Sequence, residues 1–489
     1  MKRAVIIGGG LGGLTTSIYL AHAGWDVKIL EKNKILGGKL QQVNKGGFHF
    51  DLGPSTITLK HIFEQVFHDT GRDSRNYLTF YPISPIGKNF FPDGNVVELT
   101  PDVERMQEQL AVYSKADAKA YPAFLSESRR LFQISEKAFL HKPLFLWQEK
   151  LQPGLLHNFA KIRPTQSFQA LLKKYFRHPN TLRLFGRYAT YVGSSPFQAP
   201  SIFAMLAFLE AGEGVYGIKG GTYKLVEAFE KLAVELGVTI ETETDVTSIR
   251  TCKGAVTGVT TTKGDYACDT LIGNGDALSL YSGLLDESDR PHFSDHKIKK
   301  VEPSLSGFTM LLGVKKRYAQ LAHHNVFFPL DYQAEFTSIF KKNLYIKEPT
   351  LYICFSGASE PDLAPASMSN LFVLANAPYL TGMNQLQDKE LYKEQLIKQL
   401  EDKGLTALSE SIIMEEIQTP ADLAVRTRAF RGAIYGMSSN NLQQAFFRIP
   451  NKDTLIKGLW FAGGSTHPGG GTPMVTLSGK LTAQAIMQG

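Results

Sequence analysis

The chain has 489 residues, 43% hydrophobic and 20% charged, with a formal net charge of +7 and an isoelectric point near 9.0. These globular proportions exclude wholesale disorder, and the length calls for more than one domain around a large core. The basic excess points to an anionic membrane surface and not to nucleic acid, because no long basic run and no zinc, RRM-like or helix-turn-helix signature accompanies it. Cys252, Cys268 and Cys354 are widely spaced with no CxxC, which predicts a reducing compartment, no disulfide framework and no metal site. The N-terminus enters a strand by Ala4, so no signal peptide is expected, and no apolar run approaches the ~20 residues of a spanning helix. The expected location is cytoplasmic, peripherally on the inner face of the cell membrane.

The first element is a β-branched strand, Val5-Ile6-Ile7, running into Gly8-Gly9-Gly10-Leu11-Gly12-Gly13. Gly8, Gly10 and Gly13 have the GxGxxG spacing. The first permits the tight turn, the second lets a pyrophosphate approach the backbone, and the third lets helix and strand pack closely. A helical stretch from Leu14 to Ala23 follows, then Gly24 and a second strand, Val27 to Leu30, closed by Glu31. The helix N-terminus offers N–H groups to a pyrophosphate, and Glu31 can accept from a ribose 2′-OH. Strand, glycines, helix, strand and acid in this order predict dinucleotide binding.

Gly37-Gly38-Lys39 comes next, then Gly47 to Ser55, ending in Asp51-Leu52-Gly53-Pro54-Ser55. Nicotinamide enzymes rarely continue this way. Phe90 to Leu99 reads as a hairpin about Asp93-Gly94. From Asp102 to Glu213 the pattern is mostly helical, and within it Phe139 to Arg163 mixes aromatic and basic residues around Pro153-Gly154 with few acids. That composition suits an in-plane membrane element, with a packed lid helix as the ordinary alternative.

Lys224 to Leu236 is an amphipathic helix ended by Gly237, and Val238 to Glu241 is a strand. Val246 to Tyr266 alternates apolar and polar residues about a Lys263-Gly264 turn. Leu271 to Asp276 reads as a buried strand reaching a cofactor. Ser306 to Leu312, Leu351 to Phe355 and Leu371 to Ala375 read as a sheet flooring a substrate cavity. Asp388 to Lys403 is a helix stopped at Gly404.

Near the C-terminus a buried strand delivers Gly463-Gly464-Ser465-Thr466-His467-Pro468-Gly469-Gly470-Gly471-Thr472-Pro473-Met474, which opens a final helix. Glycine this dense carries a large backbone-entropy cost unless close approach to a ligand requires it. With this loop, the Gly37-Gly38 pair, Asp51 to Ser55, Tyr191-Val192-Gly193-Ser194-Ser195 and Lys219-Gly220-Gly221, the sequence resembles the flavin-dependent amine oxidase and carotenoid desaturase superfamily. Within it, the whole chain resembles the bacterial carotenoid desaturase and oxygenase family. Gly469 to Gly479, Arg431 to Gly436 and Ala322 to Asn325 are similar to its diaponeurosporene oxygenase branch. Thr466-His467 reads instead like the desaturases, and Lys39 stands where many relatives have Arg.

The resemblance implies an α/β fold with a Rossmann-type FAD-binding domain from residues 1–75, 215–290 and 415–489. A sheet-floored substrate domain would come from 76–100 and 291–414, and a helical, membrane-facing lid from 101–214. It implies that FAD is held by Gly8, Gly10, Gly12, Gly13, Glu31, Lys32, Gly38, Lys39, Gly53, Pro54, Ser55 and Val246. The tail would add Gly463, Gly464, Gly471, Thr472, Pro473 and Met474. The implied substrate is a long-chain carotenoid, with O2 or a quinone as electron acceptor. The implied reaction oxidises terminal methyl groups of a C30 carotenoid to aldehydes. Desaturation is one alternative, and a non-enzymatic isoprenoid-binding escort protein is another from a different class. His467, a group that titrates near neutrality in the glycine loop, is the candidate catalytic residue. Ordering that loop by hydrogen bonding is its structural alternative. His323 and His324 lack the spacing of a metal site, and Gly193-Ser194-Ser195 does not fit GxSxG.

Overall fold

Continuous apolar runs and glycine turns near the N-terminus build the first of two sheets that organise the molecule. The computed structural model describes residues 2–142, 152–382, 386 and 388–488. Strand β1 (Arg3–Ile7) is exposed at Arg3 and buried from Ala4 onward. It pairs in parallel with β2 (Asp26–Leu30) on one side and Thr270–Gly273 on the other. Leu459–Phe461 and Thr239–Glu241 complete the five-stranded parallel sheet at its edges. Helices cover both faces of such a sheet, so its inner strands β1 and Thr270–Gly273 show no polar alternation.

Helix α1 (Leu11–His22) starts at Leu11 and not at Leu14, because Gly10, in extended conformation, is its N-cap. The helix is buried from Leu11 to Leu20 and shares one core with Leu225, Val226 and Phe229 of the helix Lys224–Glu235. Its other neighbour is the closing helix Thr472–Gln488, approached through glycine. A Cβ on Gly479 would lie 2.5 Å from the Gly12 carbonyl oxygen and 2.7 Å from Thr15 Cβ. No side chain fits where these two backbones meet.

The second sheet has seven strands in the order Ile412–Gln418, Ser306–Val314, Ser369–Ala377, Leu351–Cys354, His324–Phe327, Gly87–Phe90 and Val96–Leu99. Its second strand, Ser306–Val314, is buried at every position. The expected hairpin forms, with Gly87–Phe90 antiparallel to Val96–Leu99, and joins this sheet by parallel pairing with His324–Phe327. The strands His324–Phe327 and Ile412–Gln418 were not expected from the sequence. A further correction concerns Val246 to Tyr266. Lys253 (φ 50°) and Gly254 (φ 74°) make an additional turn, so Val246–Cys252, Ala255–Thr261 and Gly264–Ala267 form a three-stranded meander.

The segment expected to be helical packs around Phe124, Phe168, Phe176 and Phe185. Its helices Val103–Ala111, Lys115–Ser135 and Phe168–Tyr175 start at Asp102, Ser114 and Ser167, whose side chains accept backbone N–H bonds. From the aromatic-basic stretch, Pro153–Lys161 forms a helix. Residues 143–151, which include Phe145, Leu146 and Trp147, lie outside the described residues. Among the described residues no helix is long and apolar enough to cross a membrane.

Candidate active site

The first glycine turn is built by close packing. Gly8 has φ 97°, and a Cβ on Gly13 would sit 2.4 Å from the Gly8 carbonyl oxygen. A Cβ on Gly10 would lie 2.9 Å from Asn274 Oδ1 and 3.9 Å from Gly38 Cα, so both glycine turns and the end of Thr270–Gly273 meet here. Glu31, 4% exposed, accepts from Gly9 N–H at 2.8 Å, Asn33 N–H at 2.9 Å and Asn33 Nδ2 at 2.7 Å. Its carboxylate therefore braces the glycine turn from behind.

One continuous cavity of about 520 Å³ opens beside this turn. Its glycine-built end is lined by Gly10, Gly38, Asn274, Gly463, Gly471 and Thr472. Two buried atoms on this wall, Asn274 Oδ1 and Thr472 Oγ1, have no hydrogen-bond partner among the described residues. Neither α1 nor the closing helix carries an acid in its first turn. Bare backbone, two helix N-termini and the free Thr472 hydroxyl form a cradle fit for a diphosphate. Lys39 and Asp276 also line this cavity. Burial lowers the Lys39 pKa while Asp276 opposes that shift, and its ammonium donates to the carbonyls of Ile434 at 2.6 Å and Ala433 at 3.2 Å. Burial raises the Asp276 carboxyl, with Lys39 pulling it back.

Beyond Gly53, Pro54 and Ser55 the wall becomes apolar, with Leu59, Phe132, Leu206, Leu209, Leu305 and Leu374. The seven-stranded sheet supplies scattered hydroxyls. Tyr352 OH lies 2.6 Å from Ser55 Oγ and 2.7 Å from His324 Nδ1. Thr350 and Asn376 also line the cavity, and both donate to fully buried Glu335. Burial pushes the Glu335 carboxyl from 4.5 up to about 7, with the Thr350 and Asn376 hydrogen bonds opposing it.

The helical layer contributes a buried charge pair. Arg187 Nη2 donates to Glu210 Oε2 at 3.2 Å, and the same carboxylate accepts from Tyr188 OH at 2.7 Å and Tyr191 OH at 2.6 Å. A separate, more open depression on the outer side of Lys115–Ser135 is lined by Glu127, Arg130 and Tyr175, away from the glycines.

The expected site residues divide between wall and support. Gly10, Gly38, Lys39, Gly53, Pro54, Ser55, Gly463, Gly464, Gly471, Thr472, Pro473 and Met474 line the cavity. Gly8, Gly12, Gly13, Glu31, Lys32, Val246 and His467 do not. Gly12 and Gly13 are packing positions, Lys32 Nζ donates to the Val425 carbonyl, and the Val246 carbonyl accepts from Arg428 at 3.0 Å. His467 Nε2 lies 3.1 Å from Phe139 O and 3.0 Å from Lys142 O, against the helical layer. His323, His324 and Cys354 come together although their spacing gave no sign of it, with ligand atoms within 4.8 Å of one another. His324 faces Cys354 across paired strands, and burial pushes that thiol up to about 12. The sequence reading missed Asn274 as a wall residue, as well as Tyr352, Thr350 and the Arg187–Glu210 pair. Only Asn274 carried a signal, as the residue at the mouth of a buried strand.

Comparison with known proteins agrees with this geometry. The family described as flavin containing amine oxidoreductase matches residues 11–487. A 4,4'-diaponeurosporene oxygenase of Staphylococcus haemolyticus is 35% identical, over 99% of this chain and 97% of its own length. A 4,4'-diapolycopene oxygenase of a Methylomonas species is 34% identical, over 99% of this chain and 98% of its own. Among solved structures, an oxidoreductase from Methanosarcina mazei superimposes with a TM-score of 0.67 at 14% identity, covering all of both chains. The cradle and these full-length matches lead to one conclusion: the chain belongs to the flavin-containing amine oxidoreductase family and is an FAD-dependent oxidoreductase.

Proposed function

We propose that this protein is a carotenoid oxygenase that oxidises terminal methyl groups of a C30 polyene of the diaponeurosporene or diapolycopene type to aldehydes. The observation that carries the reading is a cavity whose glycine-built end continues into an apolar wall, in a chain similar throughout its length to oxygenases of that name. A polyene end needs an apolar channel with its charges neutralised. Leu59, Phe132, Leu206 and Leu374 supply the apolar wall, and Glu210 neutralises Arg187.

Bound FAD supplies the two-electron acceptor for an allylic carbon, and the protein's task is to place the chain end and exclude water. In this reading Gly10, Gly38 and Gly471 leave room for the diphosphate, and the Thr472 hydroxyl donates a hydrogen bond to it. Lys39 braces the loop at Ala433 and Ile434. Ser55 and Tyr352 hold paired hydroxyls at the wall, next to neutral His324, whose pKa burial lowers well below the usual histidine value. His467 takes the loop-ordering role, because its imidazole meets carbonyls of the helical layer. Molecular oxygen is the proposed oxidant, a quinone the alternative acceptor. The basic, aromatic stretch from Phe139 to Arg163 is the proposed contact with the inner membrane face, from which a carotenoid would be drawn.

Feeding C30 and C40 carotenes separately to cells expressing the protein, with pigments analysed by mass, tests the reading. A C30 product that has gained oxygen and lost two hydrogens per oxidised end is expected. Products lighter only by hydrogen pairs would make the protein a desaturase.

A further inference from the structure

A wall built only to hold a hydrocarbon needs no hydrogen-bond donors, yet one corner of this cavity has two without acceptors. Arg187 is 7% and Glu210 3% exposed, and Arg187, Tyr191 and Tyr332 line the cavity. Arg187 gives Nη1–H to Tyr191 OH at 2.8 Å and Nη2–H to Glu210, while Glu210 is filled by Arg187, Tyr188 and Tyr191. Arg187 Nε and Tyr332 OH have no partner among the described residues. Their residues are neighbours: a Cβ on Gly186, the residue before Arg187, would lie 3.8 Å from Tyr332 Cε1, and the Arg187 charge acts on the Tyr332 phenol.

The charges of this corner decide what fits it. Burial opposes the charge of Arg187, but Tyr191 and Glu210 hold it protonated, so the pair is charged and neutral overall. Burial, with Glu335 nearby, keeps Tyr332 a protonated phenol able to donate. A methyl end would leave both buried donors unsatisfied, which is costly. A carboxylate would bring a second negative charge beside buried Glu210, with a desolvation penalty of its own. A carbonyl oxygen adds no charge and has two lone pairs. Building on the carotenoid reading above, we propose that the Arg187–Tyr332 corner is a subsite for the carbonyl oxygen of an aldehyde-ended polyene.

The test uses the purified flavin-loaded protein and three C30 polyenes ended by methyl, aldehyde or carboxylate, with binding followed by fluorescence quenching. The aldehyde should bind about fivefold more tightly than the methyl-ended chain, the scale of one net hydrogen bond, and the carboxylate most weakly. Tyr332→Phe should remove most of the aldehyde's advantage and leave affinity for the methyl-ended chain and flavin content unchanged. The paired change Arg187→Gln with Glu210→Gln, which leaves no lone buried charge, should do the same. Turnover of the bound mono-aldehyde at its remaining methyl end would make it a second substrate, and retention without turnover would make it the product. Equal affinity for methyl and aldehyde ends, tightest binding of the carboxylate, or equal loss for both ends in Tyr332→Phe would overturn the subsite. Failure of all three polyenes to bind would instead overturn the carotenoid reading itself.

Discussion

Gly10 faces Gly38 across the glycine-built end of the cavity, and in the proposed reading its backbone is where the diphosphate comes closest. Gly10→Val places a side chain against Asn274 Oδ1 and into that space. The variant should purify without visible flavin absorbance, and stoichiometric flavin in it would contradict the assigned cradle. Glu335 makes a second prediction at this scale, through pH. Its carboxyl is raised from 4.5 to about 7 in the folded protein, so the folded state binds the proton more tightly than the unfolded chain. Stability is therefore full below the unfolded value, falls as pH rises from about 4.5 to 7, and levels off above it. The loss is about 3 kcal/mol by linkage. Glu335→Gln should flatten that part of the pH dependence of the thermal midpoint, and parallel curves for the two proteins would show that Glu335 is not the titrating group. No sequence pattern marks Glu335, because its partners Thr350 and Asn376 come from two strands of the seven-stranded sheet or their ends.

Helices α1 and Thr472–Gln488 meet at Gly12 and Gly479, where backbone replaces side-chain packing. Gly479→Ala should push the helices apart and destabilise the protein by about 1–3 kcal/mol, as overpacking does. Gly283, in the helix Ala277–Leu284, has nothing within 4 Å of its would-be Cβ, so Gly283→Ala is the control expected to be neutral or slightly stabilising. Equal thermal shifts for the two would show that the crossing is not tight. The aromatic-basic stretch is tested at the same scale. Replacing Phe145, Leu146 and Trp147 together by Ser should shift the protein from the membrane fraction to the soluble one with flavin content unchanged. Unaltered partitioning would leave this stretch as lid only.

Elements with a strong local signal were legible in the sequence: β1 with its glycines, the Asp93-Gly94 hairpin, the helix stopped at Gly404 and the glycine-rich tail. The strand His324–Phe327 was not, since a histidine and an asparagine fill half of a four-residue run that is buried throughout. Ile412–Gln418 escaped because it is an edge strand broken by Glu415 and Glu416. The second turn in the meander escaped because Lys253 adopts φ 50°, which a lysine does not advertise.

At the scale of the whole molecule, the cavity is assembled from stretches far apart in the chain, from Gly10 to Val475. The glycine-built half of its wall was legible because each turn carries its own spacing. The apolar and polar half was not, because Arg187, Tyr332, Tyr352 and Asn376 converge only when the helical layer closes over the seven-stranded sheet. The central claim is that this cavity brings a C30 polyene end to FAD for oxygenation. Its most direct test is oxidation of diaponeurosporene by the purified enzyme under ¹⁸O2, with product analysed by mass before the aldehyde oxygen exchanges with water. An aldehyde at a terminal methyl carrying ¹⁸O is predicted; products that have lost only hydrogen, formed equally well without oxygen, would contradict it.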